Sequence, residues 1–179
     1  MPLLVLAYPE FAPEDSVWIE MIRVVHDPAH ERVRAHFTLV YPLPDTPEQI
    51  GVEVVSEVIR VAAAEFAPIA FVLRSAIPFN DLLGPDTDVF LMPDEGFGAI
   101  VRLHDRLYTG PLAGELRLDI PTVPHITVAR LRDPQAGKRL ADTLNARNFA
   151  ITGTIAALYL VAHDGGTVRT IARVPLSKE

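Results

Sequence analysis

Two stretches constrain this chain more than any others: His36-Phe37-Thr38-Leu39 and His125-Ile126-Thr127-Val128. Each reads His, apolar, Thr, apolar, in strand-forming residues with a proline breaker beside them (Pro42 and Pro124). Side chains alternate across a strand with a period of two, so His36 and Thr38 share one face and Phe37 and Leu39 take the other. His125 and Thr127 repeat this, with Ile126 and Val128 behind them. An imidazole and a hydroxyl stand side by side twice, each pair backed by a face suited to a core.

The flanking chain supplies the scaffold. Residues 3–8 read as a buried strand ended by Pro9. A helix is expected over about 14–27, with Trp18, Met21, Ile22 and Val25 as its apolar stripe and Pro28 as its stop. Thr46, Pro47 and Gln49 read as the start of a helix running to about residue 66. Strands follow over 68–77 and 87–92. Asp94 reads as the cap of a helix ending at Gly110 and Pro111, and 112–120 as a short strand or an irregular loop. Asp133-Pro134 opens a last helix to about residue 147. Strands over 156–163 and 167–175 join across Asp164-Gly165-Gly166, a hairpin signal. Strands are grouped in twos more often than they alternate with helices, which favours α+β with antiparallel sheets over a doubly wound sheet. Each His-x-Thr strand is followed by a helix with proline at its start, so the expectation is one domain over 1–179 built from two similar halves.

Composition narrows the chemistry. The chain has no cysteine, which excludes disulfides, thiolate metal sites and Cys nucleophiles. Its formal net charge of −7 disfavours non-specific binding to a long phosphate backbone, but not a small phosphate held in a pocket. An apolar fraction of 49% with 22% charged residues is ordinary for a soluble globular chain. The N-terminal apolar run has no basic leader and is short for a signal peptide, and no stretch reaches the apolar length of a membrane span. The expectation is a cytoplasmic monomer with no membrane partner.

A His on a strand is ordinarily a boundary residue, and Thr is common in strands for its shape. The repeat changes the balance, because two of only six histidines fall in one pattern. Paired imidazoles on opposite sides of a phosphorus form a complete acid–base apparatus, since histidine titrates near 6.5. Thr38 and Thr127 can donate to the non-bridging phosphate oxygens, where charge grows in the transition state. Neither motif contains the carboxylate that a two-His, one-carboxylate metal set requires, so no metal or other cofactor is expected. His26, His30, His104 and His163 read as structural or solvent-facing.

The two motifs resemble those of the 2H phosphoesterase superfamily, which includes the bacterial 2′-5′ RNA ligases and cyclic phosphodiesterases. Val5-Leu6-Ala7-Tyr8-Pro9 followed by a helix, and Arg130 after the second motif, look similar too. The resemblance implies a bilobal, LigT-like fold: two antiparallel sheets with outer helices around a central cleft. It implies His36 and His125 as catalytic residues acting without metal on a 2′,3′-cyclic phosphate or a 2′-5′ linkage. One His would activate water and the other protonate the ribose oxygen that leaves, with ligation as the reverse. Which His takes which role stays open. The implied partner is a small nucleotide or an RNA terminus carrying a cyclic phosphate, and a protein that binds such an end without turnover is the alternative. Arg34 shares the parity of His36 and is a candidate phosphate contact, or a solvated strand-entrance residue. Arg130 has the parity to face away from the cleft on an ideal strand, but lies near the strand end. Tyr8, Tyr41 and Phe79 are candidate stacking platforms for a base, or packing residues.

Overall fold

Every strand pairing among the described residues is antiparallel, and the two motif strands lie at sheet edges. The computed structural model describes residues 1–45, 50–81, 84–164 and 166–178. The chain runs β1 (Leu3–Ala7), β2 (Glu10–Phe11), α1 (Pro13–His26), β3 (Phe37–Val40), α2 (Val52–Ala63), β4 (Ile69–Asn80) and β5 (Thr87–Glu95). It continues through α3 (Phe97–Leu107), a 3-10 helix (Gly110–Glu115), β6 (Ile126–Leu131), α4 (Pro134–Asn145), β7 (Ile151–Ile155), β8 (Ala157–Asp164) and β9 (Thr167–Pro175). The strand orders are β3-β1-β8-β9 in a four-stranded sheet and β2-β7-β4-β5-β6 in a five-stranded one. This is the expected α+β arrangement of two antiparallel sheets with helices. No helix among the described residues is long and apolar enough to cross a membrane.

One large core joins the sheets. β4 alternates as its sequence suggests, burying Ile69, Phe71 and Leu73. The apolar backs of the two motifs, Phe37 and Leu39 on β3 and Ile126 and Val128 on β6, enter the same core. Val55, Val58, Ile59, Ala62 and Ala63 form the buried face of α2. α4 starts as its sequence suggests: the Asp133 side chain accepts from the Gln135 amide at 2.9 Å and Pro134 takes the first turn. The Thr46, Pro47 and Gln49 helix start lies outside the described residues.

Several local expectations are corrected. α1 buries Ile19 and Arg23, while Met21 and Val25 of the expected stripe are 66% and 71% exposed. Asp94 does not cap α3. It accepts two hydrogen bonds from Arg74 across the β4–β5 ladder, at 2.8 and 2.9 Å. α3 begins instead after Gly96, at φ 80°, where a Cβ would meet the Ala70 carbonyl oxygen at 2.5 Å. Of the segment 112–120, residues 112–115 belong to the 3-10 helix. The strands β2 and β7 were not expected. β7 reads Ile-Thr-Gly-Thr-Ile, and its central Gly153 leaves room for the rings of Phe71 and Phe11.

Candidate active site

Each motif strand carries a bulge at the same place, and the bulges decide what reaches the cleft. On β6, Ala129 faces Val89 and Thr127 faces Phe90, so Val128 is an extra residue. On β3, Val40 faces Val5 and Thr38 faces Leu6, so Leu39 is extra. An inserted residue resets the alternation of faces. Val128 and Ala129 are therefore both buried, as are Leu39 and Val40. The third residue after each Thr returns to the side of the His. That residue is Tyr41 in the first motif and Arg130 in the second. Arg130 therefore lines the cleft, against the expectation from the parity of an ideal strand.

The cleft has a volume of about 560 Å³. His36, Thr38 and Tyr41 line it from one motif, and His125, Thr127 and Arg130 from the other. Phe79 joins them from β4. Tyr8 and Arg34 are not among its lining residues. The Tyr8 ring packs edge-on against His36, with centroids 6.2 Å apart, and the Arg34 guanidinium lies over the Tyr8 ring at 4.2 Å. The Tyr8 ring thus backs His36, and Arg34 backs Tyr8.

The two imidazoles are held alike. His36 Nδ1 donates to the Arg34 carbonyl at 2.7 Å, and His125 Nδ1 donates to the Val123 carbonyl at 2.6 Å. A carbonyl only accepts, so Nδ1 carries the proton in both rings and Nε2 is left as the titrating nitrogen. Burial lowers both pKa values from the ordinary 6.5, that of His125 to about 4. The carbonyl bonds oppose this shift in both rings, and the charge of His36 adds to it at His125. Before a ligand arrives, the cleft thus presents two neutral imidazoles.

Buried groups hold the residue before each of these carbonyls. Arg23, 1% exposed, donates through Nε to Asp27 at 3.0 Å and through Nη2 to the Val33 carbonyl at 2.7 Å, one residue before Arg34. Asp27 also accepts from the Ala29 amide at 2.8 Å. On the other side, His104 Nε2 lies 3.3 Å from the Thr122 hydroxyl, one residue before Val123. Phe90 lies flat on His125, with centroids 3.6 Å apart and planes at 17°. Phe79 stacks on Phe90 in turn, with centroids 5.0 Å apart. Asp88, 5% exposed, takes Arg130 Nε at 2.8 Å and Nη2 at 3.0 Å, which leaves Nη1 outside that pair. These ties also raise the pKa of Arg130. The one available sequence signal for Asp88 was its parity with Phe90 on a strand.

Two antiparallel sheets with paired His-x-Thr strands in one cleft define a 2H phosphoesterase fold. A family model for the 2′-5′ RNA ligase superfamily matches residues 9–167, and the chain belongs to that superfamily. Among solved structures, TT0787 of Thermus thermophilus is 20% identical with a TM-score of 0.67, each chain covered over 100%. Escherichia coli LigT in its apo form is 17% identical, TM-score 0.55, over 99% of this chain and 98% of that one. Usb1 of Kluyveromyces marxianus is 11% identical, TM-score 0.55, over 98% of each chain. LigT has also been solved with 3′-AMP, with ATP and with phosphate. A search of curated protein sequences finds no match.

Proposed function

We propose that this protein is a phosphoesterase that opens a 2′,3′-cyclic phosphate, or cleaves a 2′-5′ phosphodiester, at a nucleotide or RNA end. The observation that carries the reading is the matched pair of imidazoles in one cleft, each with Nδ1 tied to the carbonyl two residues before it. Water attacks phosphorus as the neutral Nε2 of one His takes its proton. The bond from phosphorus to a ribose oxygen breaks, and the protonated Nε2 of the other His gives that oxygen its proton. The net change is one water consumed. Exchange of one proton with solvent restores both rings. The hydroxyls of Thr38 and Thr127 donate to the non-bridging oxygens, and Arg130 Nη1 adds a charged donor. Run backwards with a 5′-hydroxyl in place of water, the same groups join two ends as a 2′-5′ ligase. Because proton transfer serves both nucleophile and leaving group, the reaction as drawn requires no metal.

A neutral His must become the acid, and the anionic substrate supplies the reason: a phosphate against an imidazole favours the cation and raises its pKa. The test is turnover of nucleoside 2′,3′-cyclic phosphates by purified protein with EDTA present. His36→Ala and His125→Ala should each lose on the order of 10²–10⁴ in kcat. Retained turnover in both variants overturns the assignment. Saturable binding of 3′-AMP without any turnover of the cyclic phosphate favours the non-catalytic alternative.

A further inference from the structure

The cleft contains three arginines, and two are already committed. Arg23 is held by Asp27 and Glu20, and Arg130 by both oxygens of Asp88. Arg32 has no carboxylate partner among the described residues, although it lines the same cleft. Arg34, Arg102, Arg147, Arg169 and Arg173 also take no carboxylate among the described residues, but none of them lines the cleft, so Arg32 is the cleft arginine left without one.

Arg32 is also held on a firm support. Its amide donates to the Ala29 carbonyl at 2.9 Å, as does that of Val33 at 3.1 Å. Asp27 caps the same turn through the Ala29 amide, and Arg23 holds the Val33 carbonyl. Across from it, the β8–β9 turn places Gly166 at φ 94°, and a Cβ there would sit 3.6 Å from Arg32 Nη1. The guanidinium thus rests beside the turn of the four-stranded sheet. At the five-stranded sheet, Asp81, Asp86 and Asp88 all act on Arg130. Of the carboxylates lining the cleft, Asp81 and Asp88 lie on the β4–β5 side, and Asp27, on the side of Arg32, is already held by Arg23.

We infer that Arg32 forms a second phosphate subsite, so that the preferred ligand carries a phosphate beyond the scissile one, directed away from the β4–β5 side. This rests on the reading of the cleft as a nucleotide site. The second phosphate is either the 5′-phosphate of the same nucleoside or the internucleotide diester of an RNA end. Both present the same anionic oxygens to a guanidinium.

Titration calorimetry tests it with three ligands: 3′-AMP, adenosine 3′,5′-bisphosphate and the dinucleotide ApAp with a 3′-phosphate. The wild-type protein should bind at least one two-phosphate ligand about tenfold more tightly than 3′-AMP, the size of a charge-assisted contact at an accessible site. Arg32→Gln should bring that ratio close to one. Arg102→Gln, on α3 outside the cleft, should leave it unchanged. A gain for the bisphosphate identifies the 5′-phosphate as the occupant, and a gain for ApAp alone identifies the diester. A wild-type ratio near one, or a ratio that survives Arg32→Gln, overturns the subsite. Turnover of cyclic phosphates is measured separately. Loss of the ratio in Arg32→Gln without any wild-type turnover keeps the subsite and removes the enzymatic reading.

Discussion

Asp88 and Arg130 are register partners on β5 and β6, and their bidentate ion pair crosses the ladder at the wall of the cleft. The pair is lopsided: the Asp88 side chain is 8% exposed and that of Arg130 47%. Removing either partner therefore has unequal effects. Arg130→Ala strands a buried carboxylate, whereas Asp88→Asn leaves an arginine that water can solvate. Arg130→Ala should lower stability by about 2 kcal/mol, below the usual figure for a fully buried pair because solvent reaches one side. Asp88→Asn should lower it by about half as much. Urea unfolding of both variants gives the order, and equal losses would contradict this account of the pair.

Phe90 covers one face of His125 and is itself only 4% exposed. Desolvation is the largest cause of the low His125 pKa, so the ring that excludes water should control it. Phe90→Ala should move the His125 pKa from about 4 back towards 6.5, and Phe90→Leu, which keeps apolar cover, should leave it low. An NMR titration of the imidazole protons follows both. The alanine variant should also lose about 3 kcal/mol of stability through the cavity it leaves. An unmoved pKa in Phe90→Ala would assign the shift to another cause.

Lowered histidine pKa values also fix the direction of an acid effect. Native His125 stays neutral down to about pH 4, while the unfolded chain takes up its proton near 6.5. Between those values the unfolded state binds more protons, so stability falls as pH falls through the window. Above pH 6.5 both states are neutral and the contribution is flat. His36 acts in the same direction below 6.5. Unfolding free energies from pH 7 to pH 4 should decline less steeply in His125→Asn than in the wild type. A slope unchanged by the substitution would remove His125 as a source of the acid sensitivity.

What the sequence revealed and what it hid divide along physical lines. Period-two alternation located both His-x-Thr strands and their buried backs, because burial on one face writes itself into the residue pattern. The bulges at Leu39 and Val128 left no such mark, since an extra apolar residue in an apolar strand looks like any other. Parity on an ideal strand consequently points Arg130 away from the cleft that it lines. Asp88 and Arg23 become part of the site through partners that register and helix packing bring to them, 42 residues away for Asp88. β7 was masked by Gly153, whose missing side chain weakens a strand signal while making room for two rings from elsewhere.

α1 is the sharpest case. Of the apolar stripe through Trp18, Met21, Ile22 and Val25, Trp18 and Ile22 pack against the core while Met21 and Val25 face solvent, and the buried centre of the helix is Ile19 and Arg23. The reason is Arg23. Its guanidinium ties α1 to Glu20, Asp27 and the Val33 carbonyl, and these bonds hold the loop that carries the His36 anchor. A buried arginine that satisfies its donors in this way dictates which face turns inward, whatever the neighbouring valines prefer. Ile19→Ala should then lower stability by about 2–4 kcal/mol, as for a large side chain removed from a core. Met21→Gln and Val25→Gln should each stay within about 0.5 kcal/mol of the wild type, as exposed positions do. Urea midpoints of the three variants decide the matter, and a large loss at Met21 or Val25 would show that this stripe is covered in solution.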